Sequence, residues 1–262
     1  DMNFTLKIMG TASAMPISDR NPSAQVLSVH GRLFLIDCGE GTQQQMRRMH
    51  VSFLKVEAVF ITHIHGDHLF GLFGLLSSMA MYGRTGKLDV YGPRALGSVL
   101  KFYDSFFGEG SNFEIAFHAV ECDSPVLIHE SKNVRVSAFP LRHKIECYGY
   151  RFDGIPSERH PEVPSYAYCS DTVSFPELAE YVKGVRLLYH EATYMQDMSD
   201  KAALRWHSTT VDAARCALAA GAGKLVVGHY SSRITDFDAY LAECTAIFPD
   251  TVAAKDGDIF DF

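Results

Sequence analysis

Ala58-Val59-Phe60-Ile61-Thr62 runs straight into His63-Ile64-His65-Gly66-Asp67-His68, and an apolar segment through Leu75 to Met81 follows. The first five residues are apolar or β-branched and predict a strand, the next six a polar loop, and the apolar segment a helix. Four metal-capable side chains therefore crowd into six residues just past a strand. His63 and His65, two apart in extended chain, can point at one ion while Asp67 and His68 turn toward a second. Two sites need more ligands than this stretch holds.

The remaining chain supplies them at equivalent places. His143 follows the apolar run 136–140, Asp171 follows 166–170 and His229 follows 225–228. Ligand sites of open α/β sheets gather beyond the carboxyl ends of strands, so these segments are expected to converge on one edge of the molecule. The set is then His63, His65, Asp67, His68, His143, Asp171 and His229, seven ligands for two metals. Imidazoles and carboxylates without thiolate suit zinc, with manganese or iron as alternatives, and point to a catalytic rather than a closed structural site. His30, His50, His118, His129 and His160 have no comparable neighbours and read as ordinary solvated or hydrogen-bonded histidines.

Around this constellation the pattern is mixed α/β. Strands are expected at 4–9, 24–29, 33–37, 88–91, 114–120, 134–139, 147–152, 166–169, 185–189, 225–227 and 258–260, with His30-Gly31-Arg32 as a hairpin turn. Helices are expected at 42–49, 94–102, 175–183, 210–220 and 237–248, the fourth introduced by Ser208-Thr209 as N-cap residues. No internal repeat or long linker interrupts the chain, and a length of 262 residues fits one domain, 1–262. The Pro-rich, charged segment 153–165 reads as an exposed loop.

Composition narrows the classes further. No stretch approaches the roughly 18 apolar residues of a membrane span, and the first residues do not resemble a signal peptide. Six scattered cysteines without a C-x-x-C pair are expected to be reduced thiols, which fits a soluble cytoplasmic protein without a membrane partner. A net charge of −7 argues against unspecific nucleic-acid binding, so an RNA substrate must meet a local basic patch.

Beyond the His-x-His-x-Asp-His stretch, the chain carries Gly10-Thr11-Ala12-Ser13-Ala14, Asp37-Cys38-Gly39-Glu40-Gly41-Thr42-Gln43, Ser170-Asp171-Thr172, His190-Glu191-Ala192-Thr193 and Gly228-His229-Tyr230-Ser231-Ser232-Arg233. In order and spacing these resemble the ribonuclease Z family of the metallo-β-lactamase superfamily. The resemblance implies a four-layered αβ/βα sandwich and a zinc-dependent endoribonuclease that removes the 3′ trailer of precursor tRNA, leaving a 3′-hydroxyl. It implies that His63, His65 and His143 hold one zinc, that Asp67, His68 and His229 hold the other, and that Asp171 bridges them. It further implies that Asp67 orients the nucleophile and accepts its proton, that His207 of Trp206-His207-Ser208-Thr209 is the general acid, and that Glu191 orients and charges His207.

Ser231, Arg233 and the loop 16–21 are candidates for contacting the RNA 3′ end. A homodimer is what the family suggests. The chain departs from many bacterial members in one respect: only 27 residues separate His143 from Asp171, where those members insert a long arm that grips tRNA. The arm, around 153–165, is expected to be absent or a stub. Arg151, Arg159 and Lys144 are then a weak basic remnant, and Arg47, Arg48, Arg84 and Lys87 an alternative basic surface. The competing expectation keeps two metals but takes another ester: a small or cyclic phosphodiester, a sulfate ester or a lactone.

Overall fold

The strand expected before the histidine stretch is present, one of fourteen among the described residues. A computed structural model describes residues 3–262. The first sheet contains β1 (Phe4–Gly10), β2 (Ala24–Val29), β3 (Arg32–Ile36), β4 (Val56–Phe60), β5 (Leu88–Pro93), β6 (Ile115–Val120) and, at its other edge, β14 (Ile259–Asp261), in the order β14-β1-β2-β3-β4-β5-β6. The second runs β13-β12-β11-β10-β9-β8-β7, with β7 (Val126–Glu130), β8 (Val134–Pro140), β9 (Tyr148–Gly154), β10 (Ser165–Cys169), β11 (Leu187–Glu191), β12 (Lys224–Gly228) and β13 (Thr251–Ala253).

Val29 pairs with Arg32, so His30 and Gly31 alone make the first hairpin loop, and both have positive φ, 49° and 79°. That is the twist a two-residue turn needs between right-handed strands.

Helices cover both outer faces. On the first sheet lie α1 (Thr42–Arg48), the short α2 (Gly66–Leu69), α3 (Leu72–Met81) and α4 (Arg94–Phe107); on the second lie α5 (Glu177–Tyr181), α7 (Thr210–Ala220) and α8 (Phe237–Thr245), with α6 (Ser199–Arg205) beside the cleft described below. One apolar cluster fills the space between the sheets, including Phe34, Phe60, Tyr150 and Phe152, and one lies under each helical layer. The result is the αβ/βα sandwich expected from the sequence. Each fully buried aromatic of the central layer contributes roughly 1.5–3 kcal/mol of transfer free energy.

Tyrosines also lock the sheets in register. Tyr150 donates to the Ile61 carbonyl at 2.6 Å, Tyr168 to Asp37 Oδ2 at 3.0 Å and Tyr166 to Gln25. A buried phenol needs such a partner, and here the partner always belongs to the opposite sheet.

Four details differ from the sequence reading. The helix expected after His68 is broken at Gly71, whose N–H bonds to Cys38 O and whose missing Cβ leaves room for the Gly39 carbonyl. Strands β7 and β13 and helix α6 were not expected; β7 is largely exposed and β13 only three residues long, so neither carries a clear apolar alternation. Arg84 is not part of a basic surface. It is buried, and its guanidinium donates to the carbonyls of Val56, Gly86 and Lys87. Arg151 is likewise engaged, by Asp153 and the carbonyls of Tyr181 and Lys183.

Between β9 and β10 the chain crosses in residues 155–164, where Ser157 and His160 exchange two backbone hydrogen bonds of 3.0 Å. This is a tight turn at the tip of a hairpin.

Candidate metal centre

The loop after β4 is tied to both sheets. Ile61 N–H bonds to Tyr91 O at 2.8 Å in the first sheet, and Thr62 O accepts from Tyr148 N–H at 3.0 Å in the second. His63, His65, Asp67 and His68 are thereby delivered to the seam, where the strands β8, β10 and β12 end. His143, Asp171 and His229 arrive from beyond those ends.

The seven side chains fall into two groups that share Asp171. His63, His65, His143 and Asp171 form one; Asp67, His68, His229 and Asp171 form the other. Asp171 Oδ2 lies 3.5 Å from His63 Nε2 and 3.6 Å from His143 Nε2, whereas Oδ1 lies 3.2 Å from His68 Nε2 and 3.3 Å from His229 Nε2. Asp67 Oδ2 is 3.3 Å from His68 Nε2 and 3.4 Å from His229 Nε2. Each carboxylate oxygen of Asp171 thus faces a different group.

These residues fit a pair of metal ions. His63 Nε2 is buried and has no hydrogen-bond partner, a costly state for a polar nitrogen unless a ligand takes its lone pair. In His68/His229 and His65/His143, ring nitrogens face each other at 3.3 Å. Ligands about 2.0–2.2 Å from a tetrahedral ion stand about 3.3–3.6 Å from one another, which is the spacing observed.

The outward nitrogens are held. His68 Nδ1 donates to Asp37 Oδ2 at 2.7 Å and His143 Nδ1 to the Trp206 carbonyl at 2.9 Å. His63 Nδ1 donates to Thr62 Oγ1 and His229 Nδ1 to Thr193 Oγ1, both at 2.9 Å. Each hydroxyl in turn donates a hydrogen bond to a buried carboxylate, Thr62 to Asp37 and Thr193 to Glu191. Such outer partners fix the tautomer that leaves Nε2 free for a cation.

Protonation follows the same layout. Burial, assisted by His63, lowers His65, and burial brings His143 down to about 4, so both rings are neutral at pH 7. Burial also opposes the ionised carboxylates, yet the surrounding imidazoles hold Asp171 and Asp67 below the usual carboxylate range.

Beside the second group stands His207, whose Nδ1 lies 2.8 Å from Glu191 Oε1. Glu191 is buried and also accepts the backbone N–H groups of Thr172 and Thr193. Burial works against a charged His207, but Glu191 outweighs it and the ring is pushed up to about 9. His207 opens onto a cleft of about 810 Å³ that is also lined by His65, His143, Asp171, His229 and Asp67.

Ser231 and Arg233 line the same cleft. The loop 16–21 differs from its sequence reading: Arg20 stacks 4.7 Å over the Phe237 ring, and Asn21 N–H and Nδ2 both bond to Asp256 Oδ2. Two of its polar residues are therefore spent on internal contacts.

Sequence reasoning gave no role to Asp37, Thr62, Thr193 or the α6 cations Lys201 and Arg205, which line the cleft. The signal available for Asp37 was an acidic residue closing an otherwise apolar strand, where only a dense set of donors makes burial tolerable.

The β-lactamase superfamily domain profile matches residues 32–230. Ribonuclease Z of Bacteroides thetaiotaomicron is 37% identical over 295 aligned positions, covering 97% of this chain and 93% of that protein. Ribonuclease Z of Porphyromonas gingivalis is 35% identical, with 97% of each covered. Among solved structures, the short form of human tRNase Z superposes with a TM-score of 0.82 at 27% identity, covering 98% of both chains. The alignments of 295 positions exceed the 262 residues of the chain, so these bacterial relatives carry insertions that it lacks.

Proposed function

This chain belongs to the ribonuclease Z family of the β-lactamase superfamily, and on that premise we infer that it is a metal-dependent endoribonuclease that removes the 3′ trailer of precursor tRNA and leaves a 3′-hydroxyl. The observation that carries the reading is the placement of Asp171, one carboxylate oxygen toward each histidine group.

In this reading His63, His65 and His143 hold one ion, Asp67, His68 and His229 the other, and Asp171 bridges. We take the ions to be zinc, with manganese or iron as alternatives, because the donors are imidazoles and carboxylates and no cysteine belongs to either group. When bound, such a pair supplies Lewis acidity and water that is acidic near neutral pH. Asp67 keeps Oδ1 to orient the attacking water and accept its proton. His207, charged by Glu191, donates a proton from Nε2 to the departing ribose 3′-oxygen, a contribution of about 10²–10⁴-fold. Ser231 and Arg233 bind the RNA 3′ end.

The remaining inferences rest on the family and on composition. The single domain spans 1–262, with the tRNA-gripping arm reduced to the hairpin tip around 153–165. A homodimer with precursor tRNA as partner is what the family suggests, and a cytoplasmic location is in keeping with six free cysteines; no helix of the described residues is long and apolar enough to cross a membrane.

Incubating the metal-loaded protein with a 3′-extended precursor tRNA and with bis(p-nitrophenyl) phosphate tests the reading. Cleavage of the RNA at one position, mapped to the nucleotide, is expected. Cleavage of the small ester alone would favour the second reading, a dinuclear hydrolase of a smaller ester, whose support is the short hairpin where a tRNA grip would stand.

A further inference from the structure

Four exposed large apolar residues line the cleft, Met15, Phe70, Leu204 and Trp206, and Phe70 is the one that ends the helix carrying Asp67. It closes α2 three residues after Asp67, so it stands one helical turn along, on the same side as that carboxylate. Its side chain lines the cleft that contains the clustered imidazoles. It is 73% exposed. An open phenylalanine forgoes the stabilisation that burial brings, and the other exposed ones reduce that loss by packing together: Phe102, Phe106 and Phe107 lie against one another, and Phe102 and Phe107 also against Phe73. Among the described residues Phe70 has no aromatic ring partner.

The ring lies over the Gly66 backbone beside Asp67, where an added Cβ would come within 2.2 Å of Phe70 Cε2. The cleft wall also carries Lys144, Lys201, Arg205 and Arg233, four cations in a chain of net charge −7. Cations for phosphates together with an accessible aromatic surface are what a groove for single-stranded nucleic acid requires, because every base has a face that can stack.

Resting on the ribonuclease reading above, we propose that Phe70 is a stacking platform for a nucleobase adjoining the scissile phosphate and thereby sets the position of the RNA strand over Asp67. The platform discriminates a nucleic acid from a small ester: a base lying on the ring registers the phosphate, and an ester without a base gains nothing from it.

The test compares wild type with Phe70→Ala, Phe70→Leu and Phe70→Trp on a 3′-extended precursor tRNA, on the same RNA with an abasic nucleotide on one or the other side of the cleavage site, and on a small ester without aromatic rings, two abasic riboses joined by a phosphodiester. Phe70→Ala is expected to lower kcat/KM for the intact RNA about tenfold to hundredfold, largely through KM, and to leave hydrolysis of the abasic ester, the melting temperature and the metal content unchanged. Phe70→Trp should retain RNA cleavage and Phe70→Leu should not. Wild type should lose a similar factor when the stacked base is removed, with no further loss on combining the abasic RNA with Phe70→Ala. Equal losses on RNA and ester would mean that Phe70 only supports the Gly66–Asp67 backbone, and undiminished RNA cleavage by Phe70→Ala would mean that no base uses the ring; either overturns the proposal while the ribonuclease reading stands. A wild type that hydrolyses the ester and no RNA overturns both.

Discussion

Asp37 and Glu191, buried at the ends of strands in opposite sheets, play matching parts, each holding one imidazole directly and a second through a threonine hydroxyl. Asp37 takes His68 Nδ1 at 2.7 Å and reaches His63 through Thr62; Glu191 takes His207 Nδ1 at 2.8 Å and reaches His229 through Thr193. The two carboxylates set four ring orientations without entering either ligand group, and separate consequences follow for each.

Removing Asp37 should loosen the metal centre and the sheet seam together. Its Oδ1 accepts Thr62 N–H and its Oδ2 accepts Tyr168 OH as well as His68. Asp37→Ala leaves these donors buried and unpaired, each costing about 1–3 kcal/mol, and outer partners of metal ligands are typically worth 10–100-fold in affinity. A competition titration with a chromophoric chelator should show weaker metal binding, and calorimetry a lower Tm. Wild-type metal affinity in this variant would dismiss the orienting role.

Thr193→Val separates the hydroxyl relay from the carboxylate. It keeps shape but leaves His229 Nδ1 without its acceptor, so metal affinity should drop while His207 remains bound to Glu191. The expected loss is on the order of tenfold, measured by the same titration; a fall in general-acid function without a change in metal affinity would contradict the assignment.

Glu191→Gln should move the alkaline limb of activity. His207 acts as an acid, so activity is present below its pKa and is lost as pH rises through it. Glu191 is what lifts that ring to about 9; bound dications would repel the imidazolium and lower the value, and removing the carboxylate would lower it further. The kcat profile on precursor tRNA should therefore bend downward at a lower pH in Glu191→Gln than in wild type. An unshifted limb would assign it to another group.

His207→Ala should depress cleavage of RNA by about 10²–10⁴-fold and that of bis(p-nitrophenyl) phosphate far less, since a nitrophenolate leaves without a proton. Comparable losses on both substrates would remove the general-acid assignment.

Asp171→Ala should empty both positions at once, because one residue serves both groups, whereas Asp67→Ala should abolish turnover with the fold largely intact. Elemental analysis after dialysis against a weak chelator distinguishes them. Full metal occupancy in Asp171→Ala would rule out the bridge.

The local chain was enough to reveal much of this. Alternating apolar residues marked most strands, His30-Gly31-Arg32 marked the first hairpin turn, and Thr209 with Asp212 closes a capping box where a helix start was expected. His63, His65, Asp67 and His68 were legible because four donors packed into six residues is a density that cation binding demands and ordinary loops lack, and the other three because each follows an apolar strand. Short-range pattern carries such information since secondary structure and loop position depend on neighbouring residues.

Tertiary structure alone decided the rest. Which oxygen of Asp171 faces which histidines, that Asp37 reaches His68 and that Arg84 turns inward to backbone carbonyls all depend on contacts between segments far apart in the chain. So does the exposure of Phe70 on the cleft beside Asp67. A sequence specifies donors and their order, but distance and desolvation exist only once two sheets have packed, and those are the quantities that turn a scattered set of imidazoles and carboxylates into a centre able to hold two cations.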